Sequence, residues 1–313
     1  WSSDVCSSDL IRNFSDNELT ITLRTEKKLE VKCGRSKYNI SIDCFPENYS
    51  VMPIENINSE INLPQFLLKM ALKSAVEFVD EKHPNANLTA ININEIGNKI
   101  IFTGVTQPLM CRVAIRPISI NQWEAVNIYP ELAKRMISLL GDTGECGVVH
   151  SKEKIRFFTD REAPDNFEIT SMTSNIKFPN TENLFKKMGE ANISVNVLET
   201  KNAVKRLVPF NTIGTEPIVT FSNEENTQEI KMTSSCTLTG NEGEESVSII
   251  NAAGTIISKR FNNHHIIKAF NEIDQADATI YFNPADPAIP NFIIPKVASE
   301  EENMYSFLIA SIP

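Results

Sequence analysis

Ile61-Asn62-Leu63-Pro64 runs into Gln65–Val79, and Ile193-Ser194-Val195-Asn196 runs into Val197–Phe210. In the first passage Leu67, Met70, Ala71, Ser74 and Phe78 fall at helical spacing behind a strand-like entry. Pro64 suits the helix start, where its missing N–H costs nothing. In the second passage Leu198, Val204, Leu207 and Val208 are the apolar positions. From Ile61 to Ile193 is 132 residues. One strand-to-helix unit therefore occurs twice, and the rest of the chain is read outward from it.

Two further elements repeat at the same interval. Tyr129-Pro130 opens a helix over Glu131–Leu140, with Leu132, Met136, Leu139 and Leu140 on one face and Gly141 as its stop. Asn262-Asn263, 133 residues after Tyr129, opens another over His264–Ile273, with Ile266, Ile267, Phe270 and Ile273 apolar. A strand pair, Leu29–Cys33 and Lys37–Ile42 around Gly34-Arg35-Ser36, leads to Phe45-Pro46. Ile155–Phe158 and Phe167–Ser171 lead to Phe178-Pro179, 133 residues after Phe45. Three elements that agree within one residue point to duplication of a unit of helix, strands, second helix and strands.

The expected division is 58–190 for one complete unit and 191–313 for another, with 11–57 matching only the tail of a unit. A whole first unit would need roughly 90 more residues upstream. Residues 1–10 are polar, fit no period and lack the basic start and apolar core of a signal peptide. They read as a non-native leader, such as a translated adapter scar. Short alternating segments, Leu88–Ile93, Lys99–Gly104 and Ile218–Ser222, are expected strands between the helices. The fold class is α+β, with helices on one face of antiparallel sheets. Asn223–Thr227, Gly240–Glu245 and Ser299–Asn303 are expected as exposed hairpin loops.

Composition narrows the function. With 313 residues, 41% hydrophobic and 11 glycines, the chain is globular and has room for two or three domains. Its net charge of −10 argues against binding nucleic acid by bulk charge, though a local basic patch stays open. No apolar run reaches the ~18 residues of a membrane span. The six cysteines form no C-x-x-C pair, which fits a reducing cytoplasm. Gly141, Gly144 and Gly147 follow a helix and precede a strand, the wrong order for a phosphate cradle. Ser174-Asn175-Ile176-Lys177 matches S-x-x-K without a partner motif. His264-His265 reads as a capping or groove-facing pair, and Trp123 as packing. No coherent Ser/His/Asp set suggests an enzyme, and no cofactor or metal is expected.

The positive charge has a pattern. Acidic residues crowd the loops, whereas Lys69 and Lys73 lie four apart on the first helix and Lys201, Lys205 and Arg206 hold the matching place in the repeat. Lys134-Arg135 and Lys268 do so on the second helices. Such spacing sets each group opposite the apolar stripe, where it could follow a phosphate backbone without reading sequence.

Together these features resemble the bacterial β sliding clamp, the processivity factor of the replicative DNA polymerase. The residues that carry the resemblance are Gly34–Tyr38 before Phe45-Pro46, Phe167–Ser171 before Lys177–Asn180, Arg260-Phe261-Asn262 before the last helix, and the apolar C-terminal strand Phe307–Pro313. The resemblance covers about residues 11–313 and implies domains of two helices on antiparallel sheets. It further implies a head-to-tail homodimeric ring around double-stranded DNA when the chain is full length. Peptides of the DNA polymerase and the clamp loader would dock in a groove between the second and third domains. Carried over position by position, that groove takes Leu88, Thr106, Pro108, Leu109, Met110 and Cys111 from the second domain. Phe178, Pro179 and Leu184 come from the linker, and Leu308, Ala310, Ser311, Ile312 and Pro313 from the C-terminus. Where the family usually has Thr-Asp-Gly-His-Arg/Lys-Leu, this chain has Thr106-Gln107-Pro108-Leu109-Met110-Cys111, so it looks like a divergent or mobile-element clamp. An aspartate at Leu109 or Ile312 is expected to abolish peptide binding and spare the fold. The alternative is a clamp-like protein-interaction paralogue that binds partners but does not load on DNA.

Overall fold

The computed structural model describes residues 19–25, 28–41, 53–160, 162, 166–185, 189, 191–211, 217–223, 228–254, 258–283, 290–296 and 304–309. The 1–10 leader, Phe45-Pro46 and Ala310–Pro313 lie outside them, as do Ser299–Asn303 and most of Asn223–Thr227. The chain forms two compact units, 1–53 and 54–313.

In the smaller unit, β1 (Leu19–Thr25), β2 (Lys28–Cys33) and β3 (Ser36–Ser41) make an antiparallel meander in that order. Gly34, at φ 55, opens the two-residue turn between β2 and β3, as such a turn requires. The Glu30 carboxylate is met by Arg24 at 2.7 Å, Lys37 at 2.6 Å and Lys32 at 3.2 Å. Hydrogen bonds from Arg24 and Lys37 hold its carboxyl well below the usual range.

The larger unit contains the duplication. The first repeat runs β4 (Ser59–Pro64), α1 (Gln65–Glu77), β5 (Ile91–Ile96), β6 (Lys99–Thr106), β7 (Leu109–Ile115), β8 (Ser119–Asn121) and β9 (Val126–Ile128). It continues with α2 (Pro130–Leu139), β10 (Glu145–His150), β11 (Lys154–Phe158), β12 (Glu168–Met172) and the short α3 (Glu182–Phe185). The second runs β13 (Ala191–Asn196), α4 (Val197–Leu207), β14 (Ile218–Ser222), β15 (Glu229–Ser235), β16 (Glu242–Ala253) and β17 (Lys259–Asn262). It ends with α5 (Asn263–Asn271), β18 (Asp277–Phe282), β19 (Asn291–Pro295) and β20 (Met304–Ile309).

All the pairings among the described residues are antiparallel, which bears out the α+β class. One sheet has the order β12-β11-β10-β4-β8. The other has twelve strands, β17-β14-β15-β16-β13-β18-β19-β20-β7-β6-β5-β9, and crosses from the second repeat into the first where β20 pairs with β7. The repeats differ at one strand. β16 is continuous and pairs over its first half with β15 and over its second with β13, where the register shifts between Ser194 and Val195. Its counterpart is split into β7 and β8 around Pro117, because proline has no N–H to give the ladder.

The four long helices cover one face. α1 buries Leu67, Leu68, Ala71, Leu72 and Ala75. It comes so close to β6 that a Cβ on Gly104 would lie 2.1 Å from the Ala75 carbonyl oxygen. α1 packs on α2, and α4 on α5. α1 also meets α5, where Lys268 Nζ sits 5.2 Å from the Phe78 ring centre and Ser74 Oγ donates to Glu272 Oε2 at 3.4 Å. The helices thus form the row α2-α1-α5-α4 over a core shared by both repeats, with Phe78 against Phe307 of β20.

Several boundaries differ from the expected ones for local reasons. α4 stops at Leu207 and tightens into a 3-10 turn over Val208–Phe210, because Pro209 cannot continue the α-helical bonding. Ala86–Leu88 is a 3-10 turn in which the Asn85 side chain accepts from the Asn87 N–H, and strand begins only at Ile91. Glu242–Glu245 is not a loop but the start of β16. Its acidity reflects an exposed strand, with Glu244 bonded to Lys231 and Glu245 to Arg206. Gly141–Gly144 is the expected turn between α2 and β10. Trp123 is packing: it is buried edge-on to His150 and donates to the Ile93 carbonyl.

Candidate functional site

On the face of the twelve-stranded sheet away from the helices, an apolar groove of about 730 Å³ lies beside the seam of the two repeats. The β6–β7 hairpin supplies Val105, Gln107, Pro108, Leu109 and Met110, the 3-10 turn supplies Leu88, and the linker between the repeats supplies Phe178, Pro179 and Leu184. Leu88, Val105, Met110 and Phe292 form a satellite cluster apart from the main core, packed by Phe178, Leu184 and Phe185. Strand pairing explains the convergence. β20 sets Leu308 opposite Met110 on β7, and β19 sets Phe292 opposite Leu308.

Of the expected groove residues, Leu88, Pro108, Leu109, Met110, Phe178, Pro179 and Leu184 come together. Cys111 does not. Side chains alternate along a strand, so Met110 faces the groove while Cys111 turns into the core beneath α1. Burial pushes its thiol well above the usual range. Thr106, half-buried at the end of β6, is not part of the lining. Leu109 lines the groove but also belongs to the main core, 3% exposed. An aspartate there would damage the fold as well as the groove, contrary to expectation. Ala310, Ser311, Ile312 and Pro313 lie outside the described residues. Val105, Gln107, Lys177 and Pro290 also line it, with Asn85, Asn87, Asn180 and Thr181 as its polar rim. The one signal that could have found Val105 is its place as the apolar residue just before the expected Thr106–Cys111 wall. Pro290 was not, because it is distant in sequence and arrives only through the β18–β19 connection.

The linker has no strand of its own over the groove. Ser174 N donates to the Asn127 carbonyl at 2.8 Å, and Asn127 Nδ2 to the Ile176 carbonyl at 2.9 Å. Farther along, Arg112 reaches Glu182 at 3.0 Å and lies 4.4 Å from the Phe185 ring centre, with the Phe185 ring tilted against Phe292 at 5.4 Å between centres. Burial lowers the Arg112 pKa, opposed by Glu182.

The eight basic residues of the helices fare unequally. Lys69 pairs with Asp142, Lys134 with Glu81, and Arg206 with Glu245. Lys268 is half-buried at the α1–α5 contact rather than on an open face. Lys73 is exposed and its charge acts on Glu272. Arg135, Lys201 and Lys205 take part in no ion pair among the described residues, and Arg135 and Lys205 are exposed. The even lysine lattice expected from spacing is therefore partly neutralised, because carboxylates from loops and strands reach the helices.

No family model matches the sequence, and no curated relative does. Solved structures do. The chain is similar to the DNA polymerase sliding clamp of Bacillus subtilis, with TM-score 0.80 and 18% identity over 98% of this chain and 78% of that one. It is similar to the β subunit of the Streptococcus pyogenes DNA polymerase, with TM-score 0.79 and 15% identity over 97% and 79%. A Pseudomonas aeruginosa sliding clamp bound to griselimycin gives TM-score 0.81 and 14% identity over 97% and 79%. The chain has the sliding-clamp fold.

Proposed function

We propose that this chain is a divergent sliding clamp: a non-catalytic processivity factor that encircles double-stranded DNA and tethers the replicative polymerase to it. The observation that carries the reading is the row of four long helices over a core shared by both repeats, with an apolar groove on the far face of the twelve-stranded sheet that joins strands of the two. Residues 58–190 and 191–313 are then the second and third clamp domains, and 11–57 the last strands of a first. The helices line the hole, where weak, screened contacts from Lys73, Arg135, Lys201 and Lys205 hold duplex without reading sequence and so permit sliding. The groove takes short apolar peptides of the polymerase and the clamp loader, which raises their concentration at DNA.

The head-to-tail dimer would reuse the seam. β20 closes the edge of β7, whereas no described strand covers the corresponding edge in the first half of β16. That edge suits a strand from a second copy. No cofactor takes part. A cytoplasmic site of action follows from this reading. A second reading, a protein-interaction paralogue that does not load on DNA, is favoured by the ion pairs that occupy Lys69, Lys134 and Arg206.

The two separate on plasmid DNA. The loaded full-length protein should co-elute with circular plasmid and be lost when the plasmid is cut once. Equal retention on both forms, or on neither, together with intact peptide binding would leave the paralogue reading.

A further inference from the structure

We propose that the linker wall of the groove is strapped in place by two positioning residues, Asn127 and Arg112, at opposite ends of one cross-strand row. The proposal rests on the peptide-groove reading and says how the groove is kept formed. The row crosses β9, β5, β6 and β7 as Asn127–Asn92–Thr103–Arg112, each residue directly opposite the next. At one end, Asn92 Nδ2 donates to Asn127 Oδ1 at 2.9 Å, which orients the Asn127 amide so that its Nδ2 holds the Ile176 carbonyl. Ser174 N is bonded to the Asn127 backbone carbonyl beside it. At the other end Arg112, its side chain only 13% exposed, holds Glu182 and covers Phe185.

The groove-lining residues Phe178, Pro179 and Leu184 lie on the segment between these two ends. An untethered segment would have to be ordered when a peptide binds, and that entropy would be taken from affinity. Strapped to a rigid row, the wall is ordered beforehand. Arg112 suits its end because its planar guanidinium can bond a carboxylate and stack on a ring together, which a lysine cannot do. It also lies two residues from Met110, so one strand carries a groove residue and the strap. Neither residue lines the groove.

The test is a double-mutant cycle with hydrogen exchange, on the intact chain, using a fluorescein-labelled synthetic peptide with Leu and Phe anchors. Arg112→Ala and Asn127→Ala should each weaken peptide binding about tenfold. Arg112→Lys should recover only part of that loss. In a Phe178→Ala/Leu184→Ala background, where the wall has lost its two large apolar side chains, Arg112→Ala should change affinity by less than about twofold. Backbone amides of 174–185 should exchange faster in both single variants while β5–β7 stay protected. Equal weakening in both backgrounds, or unchanged exchange in 174–185, overturns the strap. Failure of the peptide to bind the unaltered protein would instead overturn the groove reading, and the exchange result would still judge the strap.

Discussion

The two repeats carry the same cross-strand row on the same face and use it differently. In the first it is Asn127–Asn92–Thr103–Arg112. In the second it is Arg260–Thr220–Thr233–Glu244, and Asn127 and Arg260 each stand three residues before their helix. The first row is bonded to the linker and lies beside an apolar groove. The second lines a polar cleft, and its Glu244 turns to Lys231 on the next strand at 2.7 Å. Duplication thus preserved the scaffold, and a few outward-facing side chains decided which copy holds a peptide-sized apolar surface.

The largest expected break falls on the helix-facing side. Gly104→Val would force side-chain atoms into the Ala75 carbonyl, costing about 3 kcal/mol of stability in chemical denaturation. Ser234, likewise inward on β15, bonds Asn211 and the Ile218 carbonyl. Ser234→Ala should cost only about 1–2 kcal/mol. Equal costs would mean that α1 and α4 sit on their sheets alike.

On the outer face, Phe178→Asp should weaken an anchored peptide by about 2 kcal/mol, read by fluorescence anisotropy, because the carboxylate would face an apolar wall. Glu244→Ala in the polar cleft should leave that affinity unchanged. If both act alike, the two outer faces are not functionally distinct. On the helix row, replacing Lys73, Arg135, Lys201 or Lys205 by Glu should flatten the log–log salt slope of DNA retention by roughly 0.9 each. Lys69, Lys134 and Arg206, already paired, should each move it less.

The smallest effect concerns Glu272, at the α1–α5 contact between the repeats. Burial, and then the charge of Glu77, raise its pKa, against Lys73 and Ser74. A carboxyl raised in the folded chain favours folding in its neutral form. That contribution is full below the unfolded pKa and is lost as pH rises through the raised folded value. Glu272→Gln should therefore raise Tm by about 1–3 °C at neutral pH, a difference that fades below about pH 4. A difference that grows on acidification would reverse the sign.

The duplication, the four long helices and the α+β class were legible in the sequence. Helical spacing at Gln65–Val79 and Val197–Phe210 and the 132-residue interval are local, periodic signals that survive without tertiary contacts. The groove residues Leu88, those of the β6–β7 hairpin and the Phe178-Pro179 turn came instead from the resemblance, position by position, and the fold brings most of them together. Which face each side chain takes was decided only by register in the folded sheet. Met110 and Cys111 are equally apolar neighbours, and one strand position separates the groove from the core. Arg112 and Asn127 carried no local signal at all, since their partners, Glu182 and Ile176, lie 70 and 49 residues away in sequence. The open charge of the helix row was likewise settled in three dimensions. Helical spacing specifies the face on which a lysine emerges, whereas only packing brings Asp142, Glu81 and Glu245 to meet it.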